Sequence, residues 1–223
     1  MVLPFRLFLP AILLACTAAF AVDSRVVTVE ICEKGVGPMN EWPTAAITTE
    51  TYTEEVFGLF ELPHKYIATG VRGDRAFPTL VRASATVTLP AGKHRVLLRS
   101  RGQARLHVDG VQVADTPFDQ PRQFAVGNAG ELPVEEQNTF IDLGHGHRFA
   151  PPGNREKLVE VEFSGRPTAV VLETLIGGIE PRSKRPFRPE LGETVVAVSL
   201  AGSKDWFLLS PGSRRVAYTD AGW

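Results

Sequence analysis

The sequence predicts an all-β protein, an antiparallel β-sandwich or a jelly-roll-like barrel. Three observations carry this: period-two alternation of β-branched residues, tight turns rich in Gly, Pro and Asp between the alternating runs, and no helical period of useful length in the mature chain. The clearest stretch is 83–114. Ala85, Val87 and Leu89 alternate there with Ser84, Thr86 and Thr88. Pro90-Ala91-Gly92 makes a turn, because proline presets φ and glycine accepts positive φ. From His94 the chain sends Val96 and Leu98 one way and Arg95, Leu97 and Arg99 the other, then turns again at Arg101-Gly102. A third strand sets Ala104, Leu106 and Val108 against Arg105 and His107 and ends at Asp109-Gly110, a strong hairpin signal. Val111 and Val113 begin the return. Four short strands joined by tight turns predict a meander.

Further along, residues 158–163 alternate Val159, Val161 and Phe163 with Glu160 and Glu162, which predicts a strand with one wet face. Residues 168–176 are more continuously apolar and read as a strand buried on both sides. Gly165-Arg166-Pro167 joins the two. The best helical candidate is 53–62, limited by Gly58 and Pro63 to a turn or two. Residues 194–200, 206–209 and 214–218 again read as strands.

The domain expectation follows from these runs. Residues 1–21 have the order of a secretory signal peptide: one early charge at Arg6, an apolar run at 7–15, and Ala19-Phe20-Ala21 as a small-x-small cleavage site. That run is too short to span a bilayer. Leu13-Leu14-Ala15-Cys16 is an alternative lipobox, with Cys16 as the lipidated first residue. The main sandwich is expected over 22–180. Residues 181–190, with Arg182, Lys184, Arg185 and Arg188 among prolines, read as an extended linker. Residues 191–223 form a short β segment that would begin a further domain, and their ending at Asp220-Ala221-Gly222-Trp223 suggests either a truncated gene product or a piece of a longer polypeptide. Export places the protein in the periplasm or outside the cell.

With 24 basic and 25 acidic residues, no global field argues for nucleic acid, and membrane contact would require lipidation of Cys16. Cys16 and Cys32 are the whole cysteine complement. Cleavage after Ala21 leaves Cys32 unpaired, so the core and not a disulfide framework must stabilise the fold. Cys32 itself reads as a small buried hydrophobe.

The run LPAGKHRVLLRSRGQARLHVDGVQVAD at 89–115 resembles the central hairpins of the protective-antigen-type (PA-fourteen) module. There a Pro-x-Gly turn leads into a strand, a small loop, and a strand ending in Asp-Gly. A looser likeness extends over 26–178. The wording at 66–78, 172–178 and 208–223 also resembles the amino-terminal region of large exported proteins of planctomycete-type bacteria. No Cys-x-x-Cys-His is present, so no covalent c-type haem is expected. The resemblance implies a β module that binds glycans or packs against neighbouring domains. In glycan-binding members a pair of consecutive aspartates before the Asp-Gly hairpin holds calcium. Here that loop reads Arg99-Ser100-Arg101-Gly102-Gln103, with no acid, so no cofactor is expected from the residues, calcium being what the resemblance alone implies.

Candidate sites follow from residue chemistry. Arg99, Arg101 and Arg105 lie near one predicted hairpin end and could grip carboxylates or sulfates, with Asp109 beside them, although Asp109 also reads as a turn residue. Trp42, Tyr52, Phe57, Phe60 and Tyr66 offer rings for sugar stacking or for the core. Asp142, His145 and His147 could hold zinc if the two imidazoles shared one strand face. No nucleophile elbow occurs, and Glu30 and Glu33 beside Cys32 would raise its thiol. Glu135-Glu136 and Glu160/Glu162 read as solvated carboxylates. The sequence therefore points to a non-catalytic carbohydrate-binding or interdomain module of an exported protein, its partner a cell-envelope or extracellular polysaccharide or a neighbouring domain. A purely structural domain and a metal-dependent enzyme built on the His-Gly-His loop are the alternatives.

Overall fold

The computed structural model describes residues 25–37, 41–76, 78–116, 141–150, 154–177 and 191–218, with the backbone alone for 141–144, 149 and 150. The signal segment with Cys16, the 181–190 linker, Glu135-Glu136 and residues 219–223 lie outside this set.

In chain order the strands are β1 (Val27–Lys34), β2 (Ile47–Glu54), β3 (Gly58–Leu59), β4 (Lys65–Tyr66), β5 (Arg72–Gly73), β6 (Thr79–Val87), β7 (Gly92–Ser100), β8 (Gln103–Val108), β9 (Val111–Thr116), β10 (Ile141–Gly144), β11 (His147–Ala150), β12 (Asn154–Phe163), β13 (Thr168–Ile176), β14 (Thr194–Ser199), β15 (Phe207–Leu208) and β16 (Val216–Ala217). Sheet A has the order β2-β1-β6-β13-β8-β9. Sheet B has the order β10-β11-β12-β7-β14-β15-β16, with β3 also on β14. The pairings are antiparallel, and β4 and β5 form a small hairpin apart from both sheets. The fold is an all-β antiparallel sandwich.

Period two explains the main core. Val29 of β1, Val81 and Ala83 of β6, Leu106 of β8 and Leu172 of β13 face inward from sheet A; Val96 and Leu98 of β7 and Val196 and Val198 of β14 meet them from sheet B. The alternate positions point outward. Cys32 is buried on that outer side with Val36, Leu80 and Leu175, and burial pushes its thiol up.

Three expectations are corrected. The stretch 83–114 is not a meander: β6 lies in sheet A, β7 in sheet B, and β8 and β9 back in sheet A. The turns before β7 and at Ser100–Gln103 are arches between sheets, as is the one joining β12 to β13. The reason is that β7 is buried on both faces toward its end and so takes a central place, between β12 and β14. The arch at Gly102 leaves no room for a side chain, since a Cβ there would sit 2.4 Å from the Leu175 carbonyl oxygen.

No helix forms at 53–62. Phe57 donates to Leu209 O at 2.8 Å and accepts from Val196 N–H at 2.9 Å, so sheet B takes the backbone groups a helix would have used. The described part of the 191–223 segment, residues 191–218, does not stand apart either. Its β14 lies inside sheet B, with Val196 and Val198 in the main core. Its outward residues Val195 and Ala197 pack with Leu97 and Leu208 under Val56, Trp206, Val216 and Tyr218.

Candidate functional site

The three arginines are separated by the arches. Arg99 points from the outer side of sheet B, where Glu156 accepts from its Nε and Glu193 lies 3.1 Å from Nη1. Arg148 also donates to Glu156, and the Tyr218 ring lies under the Arg99 guanidinium at 5.4 Å. Arg105 lies on the outer side of sheet A, bonded to Glu173 at 2.6 Å and stacked over Trp42 at 4.3 Å. Asp109 is a turn residue, with φ 47° followed by Gly110 at 79°. Its Oδ1 accepts from Ala169 N–H at 2.8 Å, which ties the β8–β9 turn to β13. Arg99, Arg105 and Asp109 thus serve the fold, and Arg101 at the arch is the member that reaches a cavity.

That cavity is a half-open groove of about 430 Å³ at the end of the sandwich where β1, β7 and β13 finish. One wall is the 60–75 stretch, contributing Phe60 to Lys65 and Arg72 to Arg75; the other is Arg101, Leu191 and Gly192. Gly192 has φ +61°, and a Cβ on it would lie 2.7 Å from Arg101 Cδ, so a side chain there would displace the arginine. The groove offers donors in Arg72 and Arg101, acceptors in Glu61 and Asp74, and an exposed ring in Phe60 (56% exposed). Tyr66, 62% exposed, stands edge-on to the lining His64, with ring centroids 6.4 Å apart. Lys65 and Arg75 are committed to Glu33 and Glu50 behind the wall.

The other aromatic candidates divide cleanly. Phe57 is core. Tyr52 is half-buried, and burial pushes its hydroxyl up to about 12. Trp42 covers the Cys32 cluster. Phe60 and Tyr66 alone among the five present exposed rings.

The His-Gly-His loop does not meet the premise of a shared strand face. His145 (φ 53°) and Gly146 (φ 75°) are the two turn residues between β10 and β11, so His145 is not a strand residue. His147 is held below its ordinary range by burial and then by the Lys157 ammonium, a poor neighbour for a cation. The Asp142 side chain lies outside those described. Among the described residues no group of three His, Cys, Asp or Glu is placed to hold a metal ion. Calcium fits no better at the arch. Ser100 Oγ donates to Gly102 O at 2.6 Å, Thr116 Oγ1 accepts from Ala104 N–H at 2.7 Å, and Arg101 supplies the charge there. An acid-free, cationic loop is not a calcium cradle.

The groove was missed from the sequence because its wall has no period. A usable signal was present: an unalternating stretch between Leu59 and Thr79, longer than most connections and carrying Pro63, Gly70 and Gly73.

No family model and no curated protein sequence matches the chain. Solved structures to which it is similar include the PA14 sugar-binding domain from an RTX adhesin, at 8% identity over 87% of this chain and 99% of that one, TM-score 0.42. Another is the A domain of epithelial adhesin 6 from Candida glabrata in complex with Galb1-3GlcNAc, at 7% identity over 92% of each chain, TM-score 0.39. A β-glucosidase from Kluyveromyces marxianus is similar at 11% identity over 78% of this chain, TM-score 0.38, and the chain spans 16% of that enzyme's length.

Proposed function

We propose that this chain is a non-catalytic carbohydrate-binding module of an exported protein, and that a cell-envelope or extracellular polysaccharide lies in the groove between residues 60–75 and the Arg101–Gly192 wall. The supporting observation is the pairing of planar donors (Arg72, Arg101) and acceptors (Glu61, Asp74) with the exposed Phe60 ring in one groove. A sugar hydroxyl both gives and accepts a hydrogen bond, and a sugar's C–H face packs on an aromatic ring, so a mixed lining of this kind matches carbohydrate. The volume falls within the range of small-ligand sites, roughly 300–1,000 Å³.

A glycan-array screen of the mature protein tests this, with and without chelator. The expected result is retention of at least one glycan, insensitive to chelator, and lost in Phe60→Ala and Arg72→Gln. Retention by wild type and both variants alike would move the ligand elsewhere. The interdomain reading is favoured by a different observation, the exposed Tyr66, Ile67 and Val71 on the β4–β5 hairpin. If no glycan is retained and a flanking domain of the same polypeptide protects these three side chains from labelling, that reading takes its place. Export rests on residues 1–21, and intact mass separates cleavage after Ala21 from lipidation at Cys16.

A further inference from the structure

The groove's longer wall is attached to the sandwich mainly through carboxylates, with little apolar packing. Within residues 60–76, Phe60, Tyr66, Ile67 and Val71 are exposed, and Leu62 alone of its large apolar side chains packs against the main core. The hairpin closes on itself: Ile67 N–H donates to Val71 O at 2.9 Å and Gly70 N–H to Ile67 O at 2.8 Å. It can therefore move as a unit without losing its own bonds.

What holds it is Glu33, near the end of β1, whose side chain is 4% exposed. Its Oε2 accepts from Lys65 Nζ at 2.5 Å, and its Oε1 accepts from Ala76 N–H at 2.9 Å. Arg75 Nη1 lies 3.7 Å from Oε1. One carboxylate thus grips the segment at its first strand and again at its exit. The charged groups facing Glu33 are Lys65 and Arg75 of the segment. Glu50 of β2 faces Arg75 from the other side, accepting at 3.1 and 2.9 Å, while Arg75 also donates to Pro63 O at 2.5 Å.

We propose that Glu33 is a positioning residue for the groove: its buried carboxylate clips both ends of the 60–76 wall to β1, and loss of its charge lets the wall swing away and the groove widen. The proposal takes the groove as the ligand site proposed above. Charge-assisted bonds are about twice as strong as neutral ones. An uncharged Glu33 therefore leaves the half-exposed Lys65 better solvated by water than by the clip. Burial pushes the Glu33 carboxyl up, yet the bonds from Lys65 and Ala76 outweigh it and hold the group below its ordinary range. The clip accordingly persists at neutral pH and loosens only under acid.

The test measures the wall's position without any ligand. Nitroxide labels at Ala68→Cys and Glu162→Cys, both exposed sites, report one narrow distance distribution at neutral pH; buried Cys32 escapes labelling. Glu33→Gln is expected to give a broad distribution extending to longer distances. The parent should acquire the same breadth on stepwise acidification, at a pH lower than an ordinary carboxyl would need because Glu33 is held below its usual range, while the Gln variant stays unchanged. A variant distribution equal to the parent's at neutral pH overturns the proposal. So does acid broadening that persists in Glu33→Gln. Should Glu33→Gln fail to fold, Lys65→Met and Arg75→Met release the same clip from its more accessible side, and unchanged distances in both would overturn it equally. Binding is measured separately with cellohexaose and polygalacturonate as probes, where Glu33→Gln should weaken retention about tenfold. If the distances shift as expected and the parent binds neither these probes nor any arrayed glycan, the carbohydrate reading fails and the clip stands.

Discussion

The outer faces of the two sheets carry the same chemistry at different depths. On sheet A the cross-strand register aligns Glu30, Arg82, Glu173 and Arg105 in one row. Arg82 and Arg105 share the Glu173 carboxylate and remain 33% and 23% exposed. On sheet B, Arg148, Arg99 and Glu193 form a row around Glu156, which is fully buried. The difference comes from what lies above. Sheet B's row is covered by a strap, the chain after β14, which stacks Trp206 under Arg95 and Tyr218 under Arg99. Among the described residues, sheet A has only Trp42 on one flank of its row. A wet row can exchange a lost partner for water, and a covered row cannot.

The sharpest way to break this comparison is Glu156→Ala, which leaves two arginines without their shared carboxylate under the strap. A loss of about 3–5 kcal/mol in urea unfolding is expected. Glu173→Ala is the matched change on sheet A, and because both its arginines can turn to solvent the loss should be about 1–2 kcal/mol. Equal losses would show that depth does not distinguish the rows.

Acid should cost each sheet a smaller amount. His107 on sheet A is held below its ordinary range by burial and then Arg105, and His147 on sheet B by burial and then Lys157. With native values below unfolded ones, the folded state binds fewer protons, so stability is full above the ordinary histidine range and is lost as pH falls through the native values. Unfolding midpoints should therefore drop between about pH 7.5 and 5.5, and His107→Gln with His147→Gln should flatten that dependence. The smallest expected effect is Tyr218→Phe. It removes the hydroxyl that donates to Glu193 at 3.2 Å but keeps the ring under Arg99, for about 0.5–1 kcal/mol. A larger loss would mean that the hydroxyl, and not the ring's cover, holds the strap.

The strands were legible because inward and outward residues alternate within a few positions, as at Ala83–Ala85–Val87. Their partners were not. A two-residue turn such as Arg101-Gly102 can return a chain to the same sheet or carry it to the opposite one, and the local pattern is the same in both cases. Asp109-Gly110 was read correctly as a hairpin because the positive φ it needs is a local demand. Arg99, Arg101 and Arg105 looked like one cluster because they are close in sequence. The fates of Arg99 and Arg105 were set by Glu156, Glu193 and Glu173, between 57 and 94 residues away, a distance over which spacing carries no information.

What the sequence determined by itself was therefore local: all-β structure, the Asp109-Gly110 turn, and the buried, unpaired state of Cys32. Each follows from side-chain period, turn stereochemistry or composition. The tertiary structure alone decided the crossing of β7 into sheet B and the inclusion of residues 194–217 in that sheet. It also decided which arginines were neutralised and the groove beside Phe60. All of these depend on which distant strand a given face meets, and burial of both faces of β7 is what selected that meeting.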